Sequence, residues 1–276
     1  MSQLRMRILS VEHSPPPWSV PYLNAAPRGG STSAALPILR GTVSALPGEL
    51  MGLLITSDLQ GVAPLPSQDG ALALLGQVLA ERLAELAELG ELPPLNRIGV
   101  LLAGDLYSAP GGDQRGATGD VRRVWQAFTE RFRWVAGVGG NHDLFGTARE
   151  RERFVTLPGV HFLDGTAAEL DGLRIGGVSG IIGNPKKPGR RDEATFFELL
   201  ERALFCRPEL LVLHEGPDVP RARRPGTASI RELIEVARRD LLVICGHSHW
   251  HEPLAQLDSG CQVLNVDARA VLLLPR

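Results

Sequence analysis

Short, nearly all-apolar runs alternate with amphipathic stretches along most of the chain, beginning at Gly52. Runs of this kind are typical of strands buried on both faces of a sheet, and the stretches between them are typical of helices. The alternation therefore predicts an α/β protein. Strands are predicted over residues 53–55, 98–102, 134–138, 210–213 and 241–245.

The clearest predicted helix lies over residues 70–89, where leucines recur at 72, 75, 79, 83 and 86. That spacing places them on one helical face. Weaker stripes predict helices over 121–132, 194–205 and 230–237. The final forty residues differ, because 254–257, 262–266 and 270–274 predict three strands joined by turns, a β-meander that closes the sheet.

The first fifty residues follow neither pattern. Pro15-Pro16-Pro17, Gly29-Gly30 and several isolated prolines predict an irregular N-terminal arm, packed on the main body, with a strand near 38–45. We expect residues 1–50 to form this arm. Residues 51–276 are then one domain, in which two sheets are sandwiched between helices.

Composition excludes some classes of function. The net charge of −2 gives no global basic field for general binding to nucleic acids or anionic membranes. No apolar run reaches the roughly 20 residues of a membrane helix, and no secretion signal is visible, so we expect a cytoplasmic protein. Cys206, Cys245 and Cys261 lie in or beside apolar runs without CxxC spacing, and are predicted to be buried free thiols.

The residues that carry chemistry stand at the carboxyl ends of the apolar runs, where open α/β sheets place ligands. Each fragment alone is weak evidence, but five in order predict a metal site. Carboxylate, amide and imidazole groups together suit divalent Mn, Fe, Co, Ni or Zn. The fragments are TSDLQ (56–60), GD (104–105), GNHD (140–143), LHE (213–215) and GHSH (246–249).

In this order the fragments resemble those of the calcineurin-like metallophosphoesterases, and the resemblance spans residues 53–266. It implies a four-layer α/β/β/α sandwich of two mixed sheets flanked by helices. It also implies two divalent metal ions, with manganese the first choice. By resemblance the first ion is held by Asp58, Gln60, Asp105 and His249. The second is held by Asp105, Asn141, His214 and His247, so that Asp105 bridges the pair.

Two cations about 3.5–4 Å apart clamp a phosphate ester and activate a bridging hydroxide for in-line attack. By resemblance, His142 stabilises the phosphoryl oxygens or protonates the leaving alkoxide, and Asp143 orients the His142 imidazole. The predicted function is hydrolysis of small phosphate esters. Phosphodiesters are slightly preferred, because GNHD and GHSH resemble the forms in bacterial-type phosphodiesterases.

Gln60 departs from the family pattern, which usually has histidine at this position. Its carbonyl oxygen is a harder, neutral ligand that favours Mn or Mg-like ions and binds them more weakly. A partly vacant first site is the alternative. The same residue leaves a second function open, a binding or scaffold protein that keeps the fold without turnover. Retention of His142 favours the enzyme.

Other departures narrow the subclass. The GDxVDRG and RGNHE forms of Ser/Thr protein phosphatases are absent, and Ser108 occupies the tyrosine position of the purple acid phosphatases. A nuclease is disfavoured because no extended basic surface is apparent. Lys186, Arg190 and Arg191 form a basic loop that could hold substrate phosphate, although a solvated surface loop explains it equally well. His13 and His161 are predicted to be structural or exposed.

Overall fold

The computed structural model describes residues 6–12, 15–237 and 240–276, a part of the chain that excludes His13. Within it, the α-helices are α1 (Leu75–Glu88), α2 (Arg122–Thr129), α3 (Ala148–Phe154), α4 (Glu193–Phe205) and α5 (Ala228–Ala237). Short 3₁₀ turns cover Pro66–Gln68, Leu95–Arg97 and Pro220–Ala222. The strands are β1 (Ile8–Glu12), β2 (Trp18–Ala25), β3 (Ser31–Val43), β4 (Gly52–Ser57), β5 (Val62–Pro64), β6 (Leu72–Leu74), β7 (Ile98–Ala103), β8 (Gly119–Asp120), β9 (Trp134–Val138), β10 (Asp143–Leu144), β11 (Val160–Phe162), β12 (Thr166–Leu170), β13 (Leu173–Val178), β14 (Ile181–Ile182), β15 (Arg190–Arg191), β16 (Leu210–Glu215), β17 (Leu242–Gly246), β18 (Leu254–Gln256), β19 (Gln262–Asn265) and β20 (Arg269–Pro275).

Two large sheets form the centre of the molecule. The first has the order β11-β9-β7-β4-β20-β3-β2-β5-β6, with β1 also paired to β3. The second has the order β12-β13-β16-β17-β19-β18. Strands β4, β7, β9 and β11 are parallel to one another, and so are β13, β16, β17 and β19. Both sheets are therefore mixed, each with a parallel centre.

Three apolar cores hold these layers together. The core between the sheets contains Ile55 and Leu101 of the first sheet and Val212 and Ile244 of the second. A second core packs α1, α2 and α3 on the outer face of the first sheet. A third packs α4 and α5 on the outer face of the second sheet. The predicted four-layer α/β/β/α sandwich is confirmed, and burial on both faces explains why the central strands are apolar throughout.

The N-terminal segment differs from the predicted irregular arm. Strands β1, β2 and β3 belong to the first sheet, and β3 lies between β20 on one side and β1 and β2 on the other. Proline is tolerated there because Pro37 precedes the part of β3 that pairs with β20, which begins at Ile38. Proline was therefore a poor indicator of irregular structure in this segment, because a sheet can accept proline at such a position.

The end of the chain also differs from prediction. Strands β18 and β19 pair antiparallel in the second sheet, but β20 crosses to the first sheet and inserts between β4 and β3. The predicted meander is wrong at this strand. The apolar residues of β20 face both the core between the sheets, through Val271, and the helices, through Leu272. That two-sided burial is typical of a central strand rather than of the last strand of a meander.

Two smaller features complete the fold. Cys245 and Cys261 are buried as predicted, whereas Cys206 is exposed because it lies at the end of α4. Across residues 6–12, 15–237 and 240–276, no helix combines the length and apolarity needed to cross a membrane. A cytoplasmic location remains a prediction from the sequence.

Candidate functional site

The carboxyl ends of the central strands meet at one edge of the two sheets. Asp58 follows β4, Asp105 lies just after β7, and Asn141 follows β9. The second sheet contributes His214 from within β16 and His247 from the end of β17. Asp105, His214 and His247 each offer one ligand atom, and these atoms lie within 4.8 Å of one another. Distant parts of the sequence therefore converge on one cluster.

The backbone at this edge is held in uncommon conformations. Asp58, Asp105 and His247 have φ angles of 53°, 55° and 63°, in the left-handed region. At Gly140 the limit is space rather than backbone angle, since a β-carbon there would clash with Asp105 Oδ1. Only glycine lets the GNHD turn approach the Asp105 carboxylate so closely.

His214 has the tautomer expected of a metal ligand. Its Nδ1 lies 2.8 Å from the carbonyl oxygen of Ala103, which can only accept, so Nδ1 donates and Nε2 keeps its lone pair. In the described structure, His214 Nε2 and Asn141 Oδ1 are buried without a hydrogen-bond partner, although Nε2 lies 3.4 Å from Asp105 Oδ2. Orphaned buried acceptors are costly, and a cation between them would satisfy both. These two atoms therefore fit a divalent metal.

The charges of the cluster point the same way. Burial, together with Asp105 and Asp267, raises the pKa of Asp58 to about 7. Burial alone would lower the pKa of His214, but Asp105 and Asp58 outweigh it and raise that pKa to about 10, so without a cation Nε2 holds a proton that a bound metal ion would displace. Buried carboxylates thus resist ionisation unless positive charge is close by. A cation in the cluster supplies it.

The other two predicted ligands are less closely gathered. Gln60 Nε2 donates to Asp105 Oδ2 at 3.0 Å, so its amide nitrogen faces the shared carboxylate. A half-turn of the carboxamide would present the oxygen instead. His249 Nδ1 lies 2.7 Å from Asp267 Oδ2, and the His249 side chain is 67% exposed. Asp58 and His249 are outside the group of three whose ligand atoms lie within 4.8 Å of one another, so the first metal site remains a prediction.

His142 lies beside the cluster, but its contacts differ from prediction. Its backbone N–H donates to Asp105 Oδ1 at 2.9 Å, and its Nδ1 lies 3.3 Å from Thr118 Oγ1. Asp143 was expected to orient the imidazole. Its oxygens instead accept backbone N–H groups of Leu106, at 2.7 Å, and Gly140, at 2.9 Å. The Asp143 carboxylate thus holds two backbone segments of the site, and the polar contact of the His142 ring is with Thr118 Oγ1.

Comparison with known proteins decides the family. The calcineurin-like phosphoesterase model matches residues 51–251. The chain belongs to the calcineurin-like phosphoesterase family. No curated protein gives a significant sequence match to this phosphoesterase.

Three solved structures resemble the fold. The phosphopantetheinyl hydrolase PptH of Mycobacterium tuberculosis has 16% identity and a TM-score of 0.42, over 80% of this chain and 90% of that one. The sulfate thiohydrolase SoxB of Thermus thermophilus has 14% identity and a TM-score of 0.40, over 70% of this chain and 37% of that one. A protein of unknown function from Aquifex aeolicus has 14% identity and a TM-score of 0.35, over 80% and 95%.

The phosphoesterase cluster opens into a cleft of about 610 Å³. Its lining includes the metal-ligand candidates Asp58, Gln60, Asp105 and His247, together with His142. Sequence reasoning missed a second group of lining residues, here called the second wall, which consists of Tyr22, Asn24, Thr32, Tyr107, Gln114 and Arg115. The one available signal was Arg115, a basic residue in the glycine-rich loop GGDQRG (111–116) after the GD motif.

The predicted basic substrate loop is not part of this cleft. Lys186, Arg190 and Arg191 are not among the described residues that line it. Arg191 makes a bidentate ion pair with Asp164, with both N–O distances 2.7 Å. The Arg191 guanidinium is therefore already bound to a carboxylate of the protein. The substrate role of this loop remains a prediction.

The GHSH loop is held by the last residue of β19 and the first residue of β20. Asn265 Nδ2 donates to the Ser248 carbonyl oxygen at 2.8 Å, and Arg269 Nη2 donates to the Trp250 carbonyl oxygen at 2.5 Å. Glu215 holds the neighbouring strand β14 by accepting the Ile182 N–H at 2.6 Å. Ordinary hydrogen bonds of this kind fix the positions of His247 and His249.

Proposed function

We propose that the chain hydrolyses small phosphate esters, preferring phosphodiesters, with two divalent cations, of which manganese is the first choice. The observation that carries the proposal is the pair of buried, unpartnered acceptors, Asn141 Oδ1 and His214 Nε2, beside Asp105 and His247. The likeness of GNHD and GHSH to bacterial-type phosphodiesterase motifs supports the preference for diesters.

Each residue of the cluster has a distinct task in this proposal. Asp105, Asn141, His214 and His247 would hold one cation, and Asp58, Gln60, Asp105 and His249 the other. Bound divalent cations supply Lewis acidity, which lowers the pKa of water and offsets charge on phosphoryl oxygens.

His142 supplies the proton transfer. Because Thr118 Oγ1 lies at Nδ1, Nε2 is the ring atom left for the substrate, and from it His142 donates to the leaving oxygen. The His142 backbone N–H donates to Asp105 Oδ1, which holds this residue beside the side chains that would bind the cations.

The rival function is a binding or scaffold protein, and Gln60 is the observation that favours it. A weakened first cation site would reduce turnover without disturbing the fold. The contact between Gln60 and Asp105 is compatible with both functions, so activity must decide between them.

The test is hydrolysis of bis-p-nitrophenyl phosphate and p-nitrophenyl phosphate with Mn²⁺. The rate is measured from the nitrophenolate released, and metal analysis gives the number of ions per chain. We expect faster turnover of the diester and about two ions per chain. Asn141→Ala should lower the rate at least about tenfold. Asn96→Ala, on an exposed 3₁₀ turn, is the matched control.

Two outcomes would contradict the proposal in different ways. One ion per chain in excess Mn²⁺ would rule out the two-cation site. No turnover with Mn, Fe, Co, Ni or Zn, combined with a stable protein partner in pull-down, would favour the scaffold.

A further inference from the structure

The second wall of the cleft comes from parts of the chain outside the metal motifs. Tyr22 and Asn24 lie on β2, Thr32 lies on β3, and Arg115 lies on the loop between β7 and β8. Strands β2 and β3 precede residue 51, where the family match begins. Three of these four residues therefore lie outside the part of the chain that matches the family, and they line the same cleft as the residues proposed to act on phosphate.

Arg115 is the cation of this wall. It is exposed in the cleft and has no ion pair or hydrogen bond with residues 6–12, 15–237 or 240–276. Its neighbour Gly116 packs against the proposed proton donor, since a β-carbon there would lie 3.4 Å from His142 Cε1. Adjacent Cα atoms are about 3.8 Å apart, so the Arg115 side chain begins close to His142.

Asn24 adds an unpartnered acceptor to the same wall. Its Oδ1 is buried and has no hydrogen-bond partner in the part of the chain that the structure describes. A buried carboxamide oxygen left alone costs free energy, and here it borders the cleft beside Tyr22. A ligand that donates a hydrogen bond would satisfy it.

The size and charge of the cleft indicate what the wall binds. A volume of about 610 Å³ falls within the range of pockets that enclose a drug-sized ligand, and a phosphoryl group alone would leave most of it empty. The lining includes the carboxylates Asp58, Asp105 and Asp267, and Arg115 is the one lysine or arginine among the described residues that line the cleft. An unpaired guanidinium binds oxyanions in a bidentate geometry.

We propose that Arg115 binds a second oxyanion, a phosphate or a carboxylate, on an organic phosphate ester whose scissile group lies at the metal cluster, and that Asn24 Oδ1 accepts a hydrogen bond from a hydroxyl or amino group of the same ester. The inference rests on the proposed function and adds its substrate class. It assigns the β2–β3 hairpin and the loop before β8 to substrate selection.

The experiment compares matched ligands that differ in one oxyanion. Adenosine 3′,5′-bisphosphate is paired with adenosine 5′-monophosphate, and 3-phosphoglycerate with glycerol 3-phosphate. Binding is measured by calorimetry, and phosphate release gives kcat and KM. We expect Arg115→Ala to weaken binding of a doubly anionic ligand by roughly tenfold or more, with KM rising and kcat nearly unchanged. Affinity for the singly anionic partner should change less than twofold.

Two further variants make the result specific. Arg115→Lys should retain part of the affinity, because the charge stays while the bidentate geometry is lost. Arg123→Ala removes an exposed arginine of α2 outside the cleft and should change nothing. Equal losses for both members of a pair, or no binding of either doubly anionic ligand to the wild type, would overturn the inference.

The adenosine and glycerol pairs identify which oxyanion the wall prefers. If the wild type releases no phosphate from any of the four ligands, it does not hydrolyse these monoesters, and the proposed hydrolysis is then judged by its action on bis-p-nitrophenyl phosphate. The calorimetric comparison of Arg115→Ala with the wild type then still decides the binding inference.

Discussion

Three of the proposed ligands are positioned by strained backbone. Asp58, Asp105 and His247 adopt left-handed φ angles, which cost roughly 1–2 kcal/mol for a residue with a β-carbon. Hydrogen bonds around the site hold them there, since Asp58 N–H donates to the Gly104 carbonyl at 2.9 Å and Asp58 Oδ2 accepts the His247 N–H at 3.0 Å. Strain that surrounding contacts over-determine is typical of functional sites.

Gln60 is the residue whose change should most directly alter cation binding. Gln60→His removes the amide that donates to Asp105 and supplies an imidazole nitrogen, a ligand that suits Zn, Fe or Ni. We therefore expect tighter binding at the first site, measured by calorimetric titration of metal-free protein with Zn²⁺. Gln114→His, in the same cleft, is the control. Equal affinities in the two variants would show that position 60 is not a ligand.

A substitution at Asp143 can distinguish its two possible roles, which are to hold the backbone of the site and to orient the His142 imidazole. In Asp143→Asn, an amide nitrogen must face the backbone N–H of Leu106 or Gly140, both of which now donate to a carboxylate. The lost bond should lower the free energy of unfolding by about 1–3 kcal/mol, measured by urea denaturation. Asp113→Asn, on an exposed loop, should have no effect. A slower rate with unchanged stability would instead favour the predicted orientation of His142.

The ligand candidates were visible in the sequence because each follows an apolar strand and parallel strands end at one edge. Their neighbours were not. Tyr22, Asn24 and Arg115 reach the cleft from a hairpin and a loop, and no local periodicity relates them to the GD or GNHD motifs. The role of Asp143 was also beyond the sequence, because its partners are backbone groups.

At the scale of elements, α3 depends on one charged cap. Thr147 and Glu150 form a capping box, and Arg122 Nη2 lies 3.0 Å from Glu150 Oε1, which links the start of α2 to α3. The hydrogen bonds from Thr147 and Arg122 lower the pKa of Glu150 from 4.5 to about 2. The cap is therefore strongest when Glu150 is ionised.

This cap gives a pH-dependent stability. Because the folded pKa lies below the unfolded value, the contribution is complete above about pH 4.5 and is lost as pH falls towards 2. Glu150→Gln should melt below the wild type at pH 7, and the difference should narrow at pH 3. Thermal melts by circular dichroism measure it. Glu152→Gln, exposed on the same helix, should show no such change, and a constant difference for Glu150→Gln would contradict the mechanism.

The elements that the sequence predicted are those with one dominant pattern. Strand β9 coincides with residues 134–138, and α4 begins one residue before the predicted 194–205. Strands β12 and β13 were missed, since β13 contains Gly176 and Gly177 and β12 has few large apolar residues. A strand that forms because of pairing with neighbouring strands, rather than because of its own side chains, does not show a clear hydrophobic pattern in the sequence.

At the scale of the molecule, residues 1–50 belong to the same body as the rest. Strand β3 pairs with β20 over Ile38–Val43. The Gln262 side chain bonds both the N–H and the carbonyl of Ile8, each at 2.9 Å, and so ties β1 to the second sheet. The division at residue 51 that the sequence suggested has no counterpart in these contacts.

A chain that begins at Met51 should therefore fail to fold. It would expose one edge of β20 and part of the core that Leu36, Ile38 and Leu39 help to fill. We expect no cooperative thermal transition by circular dichroism, with the full chain as control. A cooperative transition in the shortened chain would support residues 51–276 as an independent domain.

The insertion of β20 between β3 and β4 also sets the timing of assembly. Arg269 is translated 226 residues after Val43 (269 − 43), which at 5–20 residues per second takes about 10 to 45 seconds. Until then both β3 and β4 emerge from the ribosome with an open edge. The first sheet can close only late in translation, so the nascent chain must be kept from pairing with other molecules throughout that interval.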